Sequence, residues 1–102
     1  MAQSEINVEE QVIEEIHVEE PRKYKVILHN DDKTTFDFVI RILQTVFYKT
    51  FDEAVEITKQ VHITGSAVVG IYTKEIAEEK VIESVTLARN NGFPLAVTYE
   101  EL

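Results

Sequence analysis

The sequence predicts a two-layer α+β sandwich, a three-stranded antiparallel sheet with its first strand central, packed against three helices in the order βααβαβ. Three observations predict it. Short apolar, β-branched runs are bounded by turn-forming residues, as strands are. Between them apolar residues recur at spacings of three and four, the repeat of a helix face. Each helical stretch also opens on a threonine, and two of the three close on a glycine.

The elements follow in order. Tyr24 to His29 (Tyr-Lys-Val-Ile-Leu-His) is a largely apolar, β-branched run ending at Asn30-Asp31-Asp32-Lys33, four residues that favour turns. Thr34, with Asp37 three residues on, forms a near capping box. The helix expected over Thr35 to Tyr48 carries Phe36, Val39, Ile40, Leu43 and Phe47 on one face. Thr50 with Glu53 is a full capping box that starts a second helix. Its inner stripe is Ala54, Ile57, Thr58 and Val61, and Gly65 supplies its left-handed terminus. Ser66 to Thr73 reads as the second strand, and Thr73 doubles as the cap of a helix near Lys74 to Asn91. That helix shows a stripe of Ala77, Val81, Val85 and Ala88, and Gly92 closes it. Leu95 to Tyr99 is the last strand, entered through Pro94 where a missing N–H is tolerated. The first strand is the most continuously apolar and therefore takes the centre. The outer two then run parallel to each other, in a split βαβ unit with a right-handed crossover.

A chain of 102 residues, 44% hydrophobic and 28% charged, holds a single small core. Charge is unevenly placed within the net −9. Seven of the 19 acids and none of the ten bases fall in residues 1–20, which leaves 12 acids against 10 bases in the rest. Residues 1–20 are expected to be a disordered acidic extension, because the thin row Val8, Val12, Ile16 cannot offset the entropy of ordering them. Residues 21–102 form the expected core domain. An acidic tail on a near-neutral body has no field to attract nucleic acid. No apolar run approaches the roughly 18 residues of a membrane span, and the glutamate-rich start does not read as a signal peptide, so a cytoplasmic protein is expected. The absence of cysteine excludes disulfides, thiolate metal sites and a cysteine nucleophile.

Catalytic equipment is sparse. There is no glycine-rich phosphate loop, no His-Glu-x-x-His and no Gly-x-Ser-x-Gly. His17, His29 and His62 lack the short spacing of metal ligands, and Asp31-Asp32 in a turn reads as solvated or capping. Neither an enzyme nor a bound metal or cofactor is expected. What stands out is the loop from Asn30 to Thr34, rich in acceptors, leading into a helix with Phe36 on its first turn. It carries more acceptors than one helix cap uses. If the first two helices pack as a hairpin, His62 at the end of the second faces the Asn30-Asp31 turn.

These segments together resemble one family. Tyr24 to Asp32, Phe36-Asp37-Phe38-Val39, Val61-His62, Gly65, Gly70 to Val81 and Phe93-Pro94-Leu95 are similar, in order and across about Tyr24 to Glu100, to the ClpS family of bacterial adaptors. The resemblance implies delivery of N-degron proteins, those beginning with Leu, Phe, Tyr or Trp, to a Clp-type AAA+ unfoldase and its ClpP peptidase. By position it implies that Asn30, Asp31 and His62 bind the substrate α-amino group, that Asp32 and Thr34 shape the loop and pocket mouth, and that Phe36, Val39, Thr58, Val61 and Leu95 line the side-chain pocket. It further implies that Glu75 and Lys80 dock the unfoldase's N-terminal domain and that the tail reaches toward the unfoldase pore; a monomer is expected. Two positions depart from the usual pattern: Thr35 stands where proline is common and Phe36 where methionine is common. The alternative is a docking module like the C-terminal domain of the ribosomal stalk protein, which recognises an internal motif.

The chemistry of such a site is simple. An α-amino group, with a pKa of about 7.7 to 8.0, is mostly an ammonium with three donors at neutral pH. An Asn carbonyl, an Asp carboxylate and a neutral imidazole nitrogen supply three acceptors with one formal negative charge.

Overall fold

A computed structural model describes residues 21–102. The expected disordered extension lies outside these residues. Strand β1 (Lys23–His29) is followed by α1 (Phe36–Thr45), α2 (Phe51–Thr64), β2 (Ser66–Thr73), α3 (Lys74–Asn90) and β3 (Ala96–Glu101). This is the βααβαβ order expected. The sheet order is β2-β1-β3 with both pairings antiparallel, so β1 is central and the outer strands run parallel to each other.

Alternation along β1 sets the layers. Val26 and Leu28 are fully buried, whereas Lys25, Ile27 and His29 point to the open face. Leu28 lies opposite Ala67 on β2 and Val97 on β3, two more buried residues. The helices close this layer with Phe38, Ile42, Leu43, Ala54, Ala77 and Ala88. On the open face Lys25 pairs with Glu100 at 3.1 Å and the His29 ring meets the Thr98 hydroxyl at 2.7 Å.

Strand β2 contains a bulge. Val26 is opposite Gly70 and Ile27 is opposite Val68, which leaves Val69 as the extra residue. Simple alternation of Ala67, Val69 and Ile71 would bury all three; the bulge buries the first two and turns Ile71 out, 53% exposed. Gly70 leaves room for the Tyr72 ring, which folds over it where a Cβ would stand.

Several boundaries differ from expectation for identifiable reasons. The N-cap of α1 is Thr35, whose hydroxyl oxygen accepts from the Phe38 N–H at 3.2 Å; Thr34 is drawn off to Asp31 instead. The buried face of α1 is accordingly Phe38, Val39, Ile42 and Leu43, and Phe36 is 46% exposed. Helix α1 also stops at Thr45 rather than Tyr48. Lys49 N–H turns back to the Leu43 carbonyl at 3.0 Å, and Tyr48 takes a left-handed φ of 55°, a role usually given to glycine. Thr73 occupies the N-cap of α3 but its side chain makes no capping bond. On α3 the fully buried residues are Ala77, Ser84 and Ala88, with Val81 and Val85 only half-buried. Strand β3 begins one residue later than expected and runs to Glu101.

Other local expectations hold. Thr50 and Glu53 form the reciprocal capping box of α2, which also holds the Glu53 carboxyl below its ordinary pKa. Gly65 closes α2 at φ 95°, its N–H bonded to the Val61 carbonyl.

Candidate functional site

The loop after β1 is organised by one carboxylate. Asp31 Oδ1 accepts from the Lys33 N–H at 2.8 Å and the Thr34 N–H at 2.7 Å, and Oδ2 accepts from the Thr34 hydroxyl at 2.6 Å. Such an Asx turn forms because a short carboxylate side chain reaches the backbone two and three residues on. Partial burial would raise the Asp31 pKa, but the Thr34 hydroxyl, the Thr34 and Lys33 N–H groups and the Arg89 charge outweigh it, so the net shift is downward. Asp31 therefore stays ionised at neutral pH, with acceptor capacity left beyond these three bonds.

A second bond fixes where the loop lies. Asn30 N–H donates to the Gly65 carbonyl at 2.9 Å, fastening the start of the loop to the end of α2. Because α1 and α2 pack as a hairpin, His62 on the last turn of α2 comes to the same place. Its ring meets Phe36 edge-on, centroids 5.2 Å apart at 74°.

Between these groups is a cavity of about 350 Å³, within the range of about 300 to 1,000 Å³ common for small-ligand pockets. Asn30, Asp31, Asp32 and Thr34 line it from the loop, and Phe36 and His62 line it from the two helices. Its floor is Val39, Thr58 and Val61, each buried. The Thr58 hydroxyl donates to the Ala54 carbonyl at 2.7 Å, so no free O–H faces the cavity from that wall. The result is a concave apolar floor under a rim of oxygen and nitrogen acceptors.

Nine of the ten substrate-site residues predicted from sequence thus line one cavity. Leu95 does not. It is 1% exposed in the core, just before β3, because the turn after α3 drives it inward under the sheet. Lys33 and Thr35 also line the cavity. Neither was assigned a site role from the sequence, although both stand in the same turn-and-cap segment as the residues that were. Glu75 and Lys80 lie elsewhere, on α3. Glu75 is exposed beside a depression lined by Arg22, Tyr24 and Lys74. Lys80 is half-buried, its Nζ donating to the Val46 carbonyl at 2.7 Å and lying 4.7 Å from the centre of the Tyr48 ring. Among the described residues no three His, Asp or Glu side chains are grouped to hold a metal, and no helix is long and apolar enough to cross a membrane.

Comparison with known proteins gives one answer. The family model described as "ATP-dependent Clp protease adaptor protein ClpS" matches residues 19–98. The ATP-dependent Clp protease adapter protein ClpS of Nautilia profundicola is 55% identical over 82 residues, 80% of this chain and 84% of that one. Its counterpart in Clostridium acetobutylicum is 46% identical over 94 residues, 92% of this chain and 93% of the relative. The structure of Agrobacterium tumefaciens ClpS2 bound to L-phenylalaninamide superposes with a TM-score of 0.80 at 40% identity, covering 81% of this chain and 100% of that one. The fold, the order of its elements and the extent of these matches make the chain a member of the ClpS family of Clp protease adaptors, proteins that are not themselves enzymes.

Proposed function

We propose that this adaptor captures proteins through a free α-amino group and a first residue of Leu, Phe, Tyr or Trp, and delivers them to a Clp AAA+ unfoldase for degradation by ClpP. One observation carries the reading: an acceptor rim of Asn30, Asp31 and His62 stands directly over the apolar floor of Val39, Thr58 and Val61. An ammonium needs the rim and its own side chain needs the floor, and only the first residue of a chain brings both. An internal peptide N–H offers one uncharged donor and carries chain on both sides. The phenylalaninamide bound by the Agrobacterium relative has the same two features, a free amine and an apolar ring.

Magnitudes favour a carrier that lets go. Three charge-assisted bonds at about 1.5 to 3 kcal/mol each and one buried Leu or Phe side chain at about 1.5 to 3 kcal/mol total roughly 6 to 12 kcal/mol gross. Association costs about 4 kcal/mol or more. The remainder corresponds to micromolar or weaker binding. Tighter retention would come from simultaneous contact with substrate and unfoldase.

In this reading Asp32 and Thr34 shape the mouth, and Phe36 is its gate, a stiffer ring where a flexible side chain would adapt. Glu75 and Lys80 serve as the docking surface for the unfoldase's N-terminal domain, and residues 1–20 act in hand-off. The adaptor works as a cytoplasmic monomer. A peptide array varying only the first residue tests it: signal confined to Leu, Phe, Tyr and Trp supports the reading, and signal indifferent to the first residue refutes it.

A further inference from the structure

We infer that Lys33 and Arg89 form a cationic subsite beside the first-residue cavity, which takes an acidic side chain one or two residues downstream in the substrate. The inference rests on the function proposed above. A separate depression of about 330 Å³ is lined by Lys33, Arg89, Gly92, Phe93 and Pro94. Its walls hold two cations and no acid, in a chain with net charge −9. Asp31 and Asp32 line the neighbouring cavity and not this one, so the acidic groups are confined to one of two adjoining hollows. Lys33 lines both, so the two hollows adjoin at its side chain.

The two cations differ in how they are held. Arg89 Nη1 donates to the carbonyls of Phe93 at 2.9 Å and Leu95 at 3.0 Å, which holds the guanidinium and leaves the N–H groups on Nη2 and Nε without a hydrogen-bond partner among the described residues. Its charge also reaches Asp31, where it helps hold the carboxyl ionised. Lys33 is exposed, and among the described residues neither its ammonium nor Arg89 forms an ion pair. A peptide with its first side chain in the cavity carries its second and third side chains within roughly 7 Å of chain length from the α-amino group. A carboxylate there meets two cations already in place, whereas a basic residue is repelled.

The test compares C-terminally labelled peptides beginning Phe-Glu and Phe-Ala-Glu with their Gln counterparts, by fluorescence anisotropy on the full chain. At low salt one Glu peptide should bind about two- to fivefold tighter than its Gln partner, the effect of one or two solvent-screened ion pairs. The ratio should shrink toward one as salt rises from about 0.05 to 0.5 M, and Lys33→Glu should invert it. Arg89→Gln, which keeps a donor for one carbonyl, should reduce it. Equal affinity for Glu and Gln peptides, with peptides beginning in Phe still preferred over those beginning in Ala, overturns the subsite and leaves the function intact. Absence of binding by every Phe peptide overturns both.

Discussion

Three donors of its own loop converge on Asp31, which makes the residue a structural pin and, in the function proposed, one of the acceptors of the substrate ammonium. Because its folded pKa is lowered, the carboxylate contributes stability that is present above the unfolded value of about 3.9 and lost as pH falls through the folded one. Asp31→Asn should therefore lower the melting temperature at neutral pH, with the deficit closing below about pH 4. A deficit that stayed constant to about pH 2.5 would mean the bonds do not depend on the charge. His62 acts differently: its ring makes no side-chain hydrogen bond among the described residues and packs edge-on against Phe36. His62→Ala should leave the thermal melt nearly unchanged while weakening binding of a Phe peptide by roughly tenfold or more, the loss of one bond to a charged group. An unchanged dissociation constant would remove His62 from the site.

Elements place these residues, and each helix end does so by a different device. The Thr50 capping box fixes the start of α2 after the short turn from α1, and the Asn30 N–H bond to the Gly65 carbonyl holds the far end of α2, with His62, at the Asn30 turn. Thr50→Ala should cost about 1 kcal/mol in chemical denaturation; no change would mean the box is idle. Lys80 ties α3 to the α1–α2 turn through the Val46 carbonyl and the Tyr48 ring. Lys80→Ala should consequently lower the melting temperature as well as weaken docking to an unfoldase N-terminal domain, whereas Glu75→Ala should affect docking alone. Equal melting temperatures for the two variants would contradict the tie. The same ends show what sequence patterns reveal. Caps built from neighbouring residues, Thr50 with Glu53 or Gly65 after Thr64, were legible because their chemistry is local. The end of α1 was not, since its left-handed residue is Tyr48, which carries no glycine signal. Nor was the cap of α1: adjacent threonines compete for it, and Asp31 decides between them by taking Thr34.

Across the whole molecule the site depends on a core that joins both layers. Leu43 is fully buried on α1 and Leu28 on the central strand, so removing either side chain loosens the helix pair from the sheet. Leu43→Ala should destabilise by about 2 to 5 kcal/mol, and a smaller loss would show that α1 is not held by that layer. The fold was legible as a whole because strand and helix periodicities agree with the caps between them. Within the site, the residues on the Asn30 loop and on the facing helices were legible by position. Leu95 was not, since its burial depends on how the turn after α3 enters β3, and the bulge at Val69 likewise has no local signal. The confinement of the acids to one of two adjoining hollows also emerges only when α3 is folded against the Asn30 loop. The proposed capture of a chain's first residue is probed by comparing one Phe-first peptide with its α-N-acetylated twin. The free amine should bind at micromolar or weaker affinity and the acetylated peptide not detectably; equal affinity for the two would contradict amine capture and favour recognition of an internal motif.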